Sequence, residues 1–162
     1  LNPKNIKIAQ REALMWGTVQ QDAINFGNIL HEIMAFIHTK EDVDLAIQKA
    51  TELGLITFSQ HQIFKETIAK IVNHEELISF FDADAKVFNE QNIIKKTFKN
   101  IKPDRVVVKD NMAYLLDYKT GEKHNKHKAQ LEEYELALQE MKYTVAKKAL
   151  IYIGESIEIV TL

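Results

Sequence analysis

Cysteine is absent from these 162 residues, and proline and glycine are scarce, at two and five. Without cysteine the chain can form neither a disulfide nor a thiolate-bound zinc or iron–sulfur centre. So little glycine and proline leaves no flexible or polyproline linker, and no internal repeat is visible. There is no apolar run long enough to span a bilayer and no basic-then-apolar leader at the start. A cytoplasmic setting with no membrane partner is therefore expected. The first residue is Leu1 rather than Met, which suggests a piece of a longer chain.

The composition that remains is that of an ordinary globular protein, 46% hydrophobic and 27% charged. The length suits one domain over 1–162 with a proper core. A net charge of −2 argues against holding nucleic acid by bulk electrostatics alone. The charge is unevenly spread, however: residues 86–128 carry +6, the first 85 carry −5 and the last 34 carry −3. A polyanion would be drawn to the basic segment, although a solvated basic face has the same composition.

That segment contains Pro103 to Gly121, PDRVVVKDNMAYLLDYKTG. Strand formers fill both halves, and Asp110-Asn111 between them tolerates the left-handed conformations of a two-residue hairpin turn. With Lys109 opposite Met112, counting back pairs Val106 with Leu115 and brings Asp104 opposite Asp117. Side chains alternate along a strand, so Lys119 shares the face of Asp117 while Tyr118 points the other way. Two opposed carboxylates repel each other, and a hard divalent cation would compensate them. A surface hairpin with solvated charges is the plainer reading of a short D…DxK pattern.

Before this hairpin the chain reads as helical. A weak helical stripe runs from Lys4 to Trp16, and Ile24 to Ile37 is apolar on most sides, as in a buried helix. His31 lies in the middle of that second segment, with Gly27 and Ala35 one turn away on the same face, so another group could come close. A third helix follows Thr39 and ends at Gly54, a fourth is capped by Ser59 and runs to about Val72, and a short one ends near Phe80-Phe81. His38, His61 and His74 have no ligand spacing with one another. Residues 86–94 alternate like a strand, with Glu90 either an active-site acid or a salt-bridge partner, and Thr97 to Ile101 extends a strand towards Pro103. After the hairpin come a Lys- and His-rich loop and a helix to about Met141. Its stripe of His127, Gln130, Leu131, Tyr134, Leu138 and Met141 is mostly core, with Gln130 and Tyr134 as polar exceptions. Two further strands, split at Gly154-Glu155, close the chain. This order gives an α/β fold: a helical part, 1–85, containing His31, and a sheet part, 86–162, with an antiparallel front and a crossover helix.

Gly27-x-x-x-His31, Glu90, Pro103-Asp104-Arg105, Leu116-Asp117-Tyr118-Lys119-Thr120-Gly121 and Gln130-Leu131-x-x-Tyr134 together resemble the PD-(D/E)xK nucleases of the RecB/AddA type. Such domains close the chains of bacterial UvrD/Rep-like helicase-nucleases. The resemblance implies a restriction-endonuclease-like core, a mixed sheet with flanking helices. It also implies metal-dependent hydrolysis of DNA phosphodiester bonds, in an exonuclease that processes ends in double-strand-break repair. His31, Asp104, Asp117 and the Tyr118 carbonyl would hold Mg²⁺ or Mn²⁺. Lys119 would act on the attacking water, with Glu90, Gln130 and Tyr134 as auxiliaries, and Arg105, Lys123, Lys126 and Lys128 would meet DNA. The implied partners are DNA, an attached helicase motor and a second helicase-nuclease subunit. The four cysteines that hold an iron–sulfur cluster in some relatives are missing, so no cluster is expected. The alternative is a nuclease fold that has lost catalysis and serves as a DNA-binding or architectural domain.

Overall fold

The computed structural model describes residues 5–7, 19–89, 93–94, 100–154 and 156–162. A short strand, β1 (Asn5–Lys7), precedes helix α1 (Val19–Met34). The helix expected from Lys4 is thus a strand over 5–7: Ile6 pairs with Ile157 of the last strand, so a sheet ladder satisfies this backbone. Residues 8–18 of that expectation lie outside the described residues. Helices α2 (Val43–Glu52) and α3 (His61–Val72) follow, each preceded by a 3-10 turn. Side chains fix how both helical segments begin. Asp42 Oδ2 accepts the backbone N–H groups of His38 and Thr39, and Gln60 Oε1 accepts that of Thr57. Thr57 rather than Ser59 therefore opens the helical segment leading into α3. Gly54, at φ 75°, turns the chain out of α2 in a conformation that other residues adopt only under strain.

A 3-10 turn at Ile78–Phe81 leads to β2 (Lys86–Asn89). β3 (Ile93–Ile94) and β4 (Asn100–Ile101) pair with each other as a separate ribbon, so the described parts of the strand expected over 86–94 belong to two different sheets, while residues 90–92 lie outside the described residues. Then come β5 (Arg105–Lys109), β6 (Met112–Thr120), α4 (Asn125–Glu140), β7 (Thr144–Ile153) and β8 (Ser156–Thr161). The main sheet has the order β1-β8-β7-β6-β5-β2. β6 and β7 are parallel and the other neighbours antiparallel. A parallel pair cannot be joined by a tight turn, and α4 supplies the crossover.

Both faces are covered, as the two-sided apolar pattern of β5 and β6 implies. Leu116, Tyr118, Ile151 and Ile153 pack with Phe26, Leu30, Phe64 and Ile68 on the α1/α3 side. Val106, Leu115, Leu150 and Tyr152 pack with Leu131, Tyr134 and Leu138 of α4 on the other. Met141, expected in the α4 stripe, caps the helix end and is half exposed. The turn residues Asp110 and Asn111 have φ of 52° and 63°, the hairpin conformation expected of them.

Arg105 corrects the sequence reading most clearly. Expected at a DNA surface, its side chain is fully buried. The guanidinium donates to the carbonyls of Phe80, Ile37 and His38 at 3.0, 2.6 and 2.9 Å, and to Asn89 Oδ1 at 3.2 Å. It also lies over the Phe81 ring. Burial lowers its pKa, but a guanidinium remains charged in a protein. The end of α1, the 3-10 turn and β2 are thereby fixed to the start of β5. Arg105→Met, which fills much of the volume but strands these carbonyls, is expected to destabilise the fold by about 3 kcal/mol or more. The shift of the urea midpoint checks this, and a shift within error would mean that water replaces the guanidinium.

Candidate active site

The β5–β6 ladder ends at Arg105 opposite Leu116. Asp104 and Asp117 lie one step beyond and are locked to each other's strands. The Asp104 N–H donates to Asp117 Oδ1 at 2.9 Å, and the Tyr118 N–H donates to Asp104 Oδ2 at 2.8 Å. The two carboxylates thus meet at the hairpin's end as expected, but backbone donors offset part of the expected repulsion. In an extended strand a residue's N–H and C=O point to the same side. The Tyr118 carbonyl is therefore aimed, like its N–H, towards Asp104 and past the end of β5.

His31 comes from the opposite face of the sheet. Its Nε2 stands 3.1 Å from Asp104 Oδ1, and its ring lies against that of Tyr118. The approach depends on Gly27, one turn earlier. A Cβ there would sit 2.5 Å from Thr120 Cγ2 and 3.1 Å from Ile153 Cγ2, so only glycine lets α1 lie this close to β6 and β7.

Lys119 completes the cluster, with Nζ 2.9 Å from Asp117 Oδ2 and a hydrogen bond to Gln130 Oε1 on α4. Tyr134, one turn further along α4, directs its hydroxyl towards the Lys102 carbonyl at 3.5 Å. Burial, and then the charge of Asp104, push the Asp117 carboxyl up to about 6 even though Lys119 opposes the shift. Burial also acts to raise Asp104, but the His31 imidazole and the Tyr118 N–H outweigh it and hold its pKa below the usual value. Burial followed by the Asp117 charge raises the Tyr134 phenol, which stays protonated.

The structure therefore brings together His31, Asp104, Asp117, Tyr118, Lys119, Gln130 and Tyr134. Glu90 lies outside the described residues. Lys123, Lys126 and Lys128 are exposed beyond Lys119, with Lys123 paired to Glu158 and lying over the Tyr152 ring. His127, expected as part of a mostly core stripe, is buried but makes a polar contact there. Its Nδ1 lies 3.1 Å from the Tyr152 hydroxyl, a pairing that a one-dimensional pattern does not disclose.

Among the described residues, no trio of acidic or histidine side chains is already arranged as a metal cage, because the donors here bond to one another. The donor set still suits a hard divalent cation. It offers a buried carboxylate, Asp117, and a partly buried one, Asp104, the first costly to ionise beside the second, with the His31 imidazole and the Tyr118 carbonyl turned towards Asp104.

The fold and site together are thus a mixed sheet with helices on both faces, carrying paired aspartates and a lysine at the end of a hairpin. The chain belongs to the PD-(D/E)XK nuclease superfamily, whose profile matches residues 7–159. It is also 35% identical over 75 residues to Sporulation-specific protein 77 of Saccharomyces cerevisiae (strain ATCC 204508 / S288c), a stretch covering 42% of this chain and 15% of that protein.

Two expectations follow from this geometry. Gly27→Ala must push α1 off the sheet, so it should cost about 1–3 kcal/mol and weaken metal binding through His31. Calorimetry of the folded variant checks this, and unchanged metal affinity would show that His31 does not depend on the close approach. Asp117→Asn tests the raised pKa. The folded parent keeps a proton that the unfolded chain releases, so the parent gains stability as pH falls through about 6 towards the unfolded value near 4. The neutral isostere lacks this gain. Without metal, it should melt level with or above the parent at pH 8 and lose that advantage by pH 5; parallel melting profiles would contradict the shift.

Proposed function

We propose that residues 1–162 act as one metal-dependent deoxyribonuclease unit of the RecB/AddA type, hydrolysing phosphodiester bonds. The reading rests chiefly on one observation: Asp104, Asp117 and Lys119 converge at the end of the hairpin, with His31 reaching Asp104 from α1. His31, Asp104, Asp117 and the Tyr118 carbonyl would hold Mg²⁺ or Mn²⁺. The cation, when bound, lowers the pKa of a coordinated water and polarises the scissile phosphate.

The chain's own groups do the rest. Lys119, held between Asp117 and Gln130, is placed to orient the attacking water and to stabilise the negative charge that develops on the phosphate. Gln130 fixes the ammonium, and Tyr134 closes the α4 side of the site. Lys123, Lys126 and Lys128 guide the DNA backbone, and Glu90 serves as an auxiliary acid.

From the likeness to helicase-nucleases we infer an attached helicase motor that feeds unwound strands to this unit, with a second helicase-nuclease subunit as partner, in the exonucleolytic processing of double-strand breaks in the cytoplasm. A motor that delivers DNA removes the need for a strongly basic nuclease, in keeping with the net charge of −2. The rival reading is a nuclease-fold domain that only binds DNA. Digestion of labelled linear single- and double-stranded DNA separates the two. Hydrolysis with Mg²⁺ or Mn²⁺, none with chelator, and a loss of about 100-fold or more in Lys119→Met are expected. A folded protein inert with every divalent metal would support the binding-only reading.

A further inference from the structure

Beside Lys119, on the side away from Asp104, lies a groove of about 530 Å³ lined by Lys119, Lys126, His127, Gln130 and Glu133. Hydrolysis at the scissile bond uses neither Lys126 nor His127. The position of the groove follows from the sheet. Lys119 pairs with Tyr152 of β7, and neighbouring strands lie roughly 4.8 Å apart. His127, seated on the Tyr152 hydroxyl, is therefore about one strand removed from the catalytic ammonium.

The protonation of His127 is fixed by its neighbours. Nδ1 accepts the His124 backbone N–H at 3.4 Å and faces the Tyr152 hydroxyl at 3.1 Å. A backbone N–H can only donate, so Nδ1 carries the lone pair and the Tyr152 hydroxyl donates to it as well. In the neutral ring the proton then sits on Nε2. Burial, then the Lys119 ammonium and the neighbouring His124 and Lys126 side chains, lower the imidazole pKa and favour this neutral form. Nε2–H has no partner among the described residues, and its edge is the one left for the groove. The groove thus combines a fixed N–H donor, the exposed Lys126 ammonium and the Lys119 ammonium. Glu133 stands two turns along α4 from Lys126, roughly 10 Å by helical rise, and marks the far end.

We propose that this groove is a second phosphate subsite, which seats the substrate-strand phosphate adjacent to the one being cut, with Lys126 as counter-charge and the His127 Nε2–H as directional donor. The proposal rests on the nuclease reading and adds to it a group that registers the strand. His127 is a binding residue here and takes no part in proton transfer.

Two variants of His127 separate this role from a structural one. His127→Asn keeps an acceptor near the Nδ1 position for the His124 N–H and the Tyr152 hydroxyl but loses the donor at the ε position. His127→Gln keeps a donor near the ε position and loses the δ acceptor. The probes are a short single-stranded DNA oligonucleotide and the same oligonucleotide with an uncharged methylphosphonate at the linkage beside the cleaved bond. Affinity is read by fluorescence anisotropy in chelator, and kcat and KM with Mg²⁺.

His127→Asn is expected to weaken binding by about tenfold, the scale of one hydrogen bond to a charged group, and to raise KM with little change in kcat. It should also be indifferent to the methylphosphonate that weakens the parent. His127→Gln should bind like the parent even where its melting temperature falls. The subsite is overturned if Asn binds like the parent while Gln loses affinity, if the methylphosphonate costs both equally, or if the parent does not bind the oligonucleotide. Absence of hydrolysis with every divalent metal would sink the nuclease reading, while the anisotropy comparison in chelator would still decide the subsite.

Discussion

The buried guanidinium of Arg105 is the constraint on which the geometry of the site depends. A charge taken fully out of water needs compensating hydrogen bonds, and Arg105 makes four, to carbonyls from the end of α1 and from the 3-10 turn and to the amide oxygen of Asn89. Two of those carbonyls, of Ile37 and His38, lie just beyond the last turn of α1, where a positive charge also complements the helix dipole. Arg105 follows Asp104 directly in the chain. The residue that fixes where α1 ends is therefore covalently next to the carboxylate that α1's His31 must reach. Gly27 governs the other end of the same relationship by setting how closely α1 lies on the sheet. Together they determine where the imidazole stands relative to the hairpin.

The hairpin's end illustrates how a site can hold like charges without metal. Asp104 and Asp117 each receive a backbone N–H from the other strand, and each has a cationic or ionisable neighbour, His31 for Asp104 and Lys119 for Asp117. The compensation is incomplete at Asp117, whose carboxyl is pushed up to about 6. Favourable and unfavourable contributions of this kind cluster where chemistry is done. Gln130 matters because it holds the Lys119 ammonium from the α4 side, so that the lysine is not committed to Asp117 alone.

Much of this is legible in the chain because its signals are local. The Asp110-Asn111 turn fixes the register of β5 and β6, and the period of two then assigns Asp117 and Lys119 to one face and Tyr118 to the other. The approach of His31 is legible only as a small-residue strip around it. What it approaches, some seventy residues away, comes from the resemblance. Arg105 cannot be placed by pattern, since its partners are backbone carbonyls, which have the same chemistry in every residue. The strand at 5–7 reads as helix in the sequence because three residues carry too little periodicity, and its partner is at the far end of the chain. His127 illustrates the same limit: its position in a helical stripe predicts burial, which is right, but burial does not say what its nitrogens meet.

The charge imbalance along the chain becomes local once the fold is known. In the α2 and α3 region the exposed acids Glu41, Asp44, Glu52 and Glu66 are matched by the exposed Lys40, Lys49, Lys65 and Lys70. On α4 the exposed Lys126 and Lys128 stand in the first turn beside Lys119, while Glu132, Glu133, Glu135 and Glu140 follow further along the same helix. Cations in a first turn do not favour the helix, whose own dipole is positive there, but for a polyanion the two fields add. A nearly neutral chain can thus hold a small positive patch beside its site, and that patch acts over distances comparable to the Debye length. For the proposed substrate, the attraction is confined to the start of α4, where the groove lies, so capture and strand registration fall on the same surface.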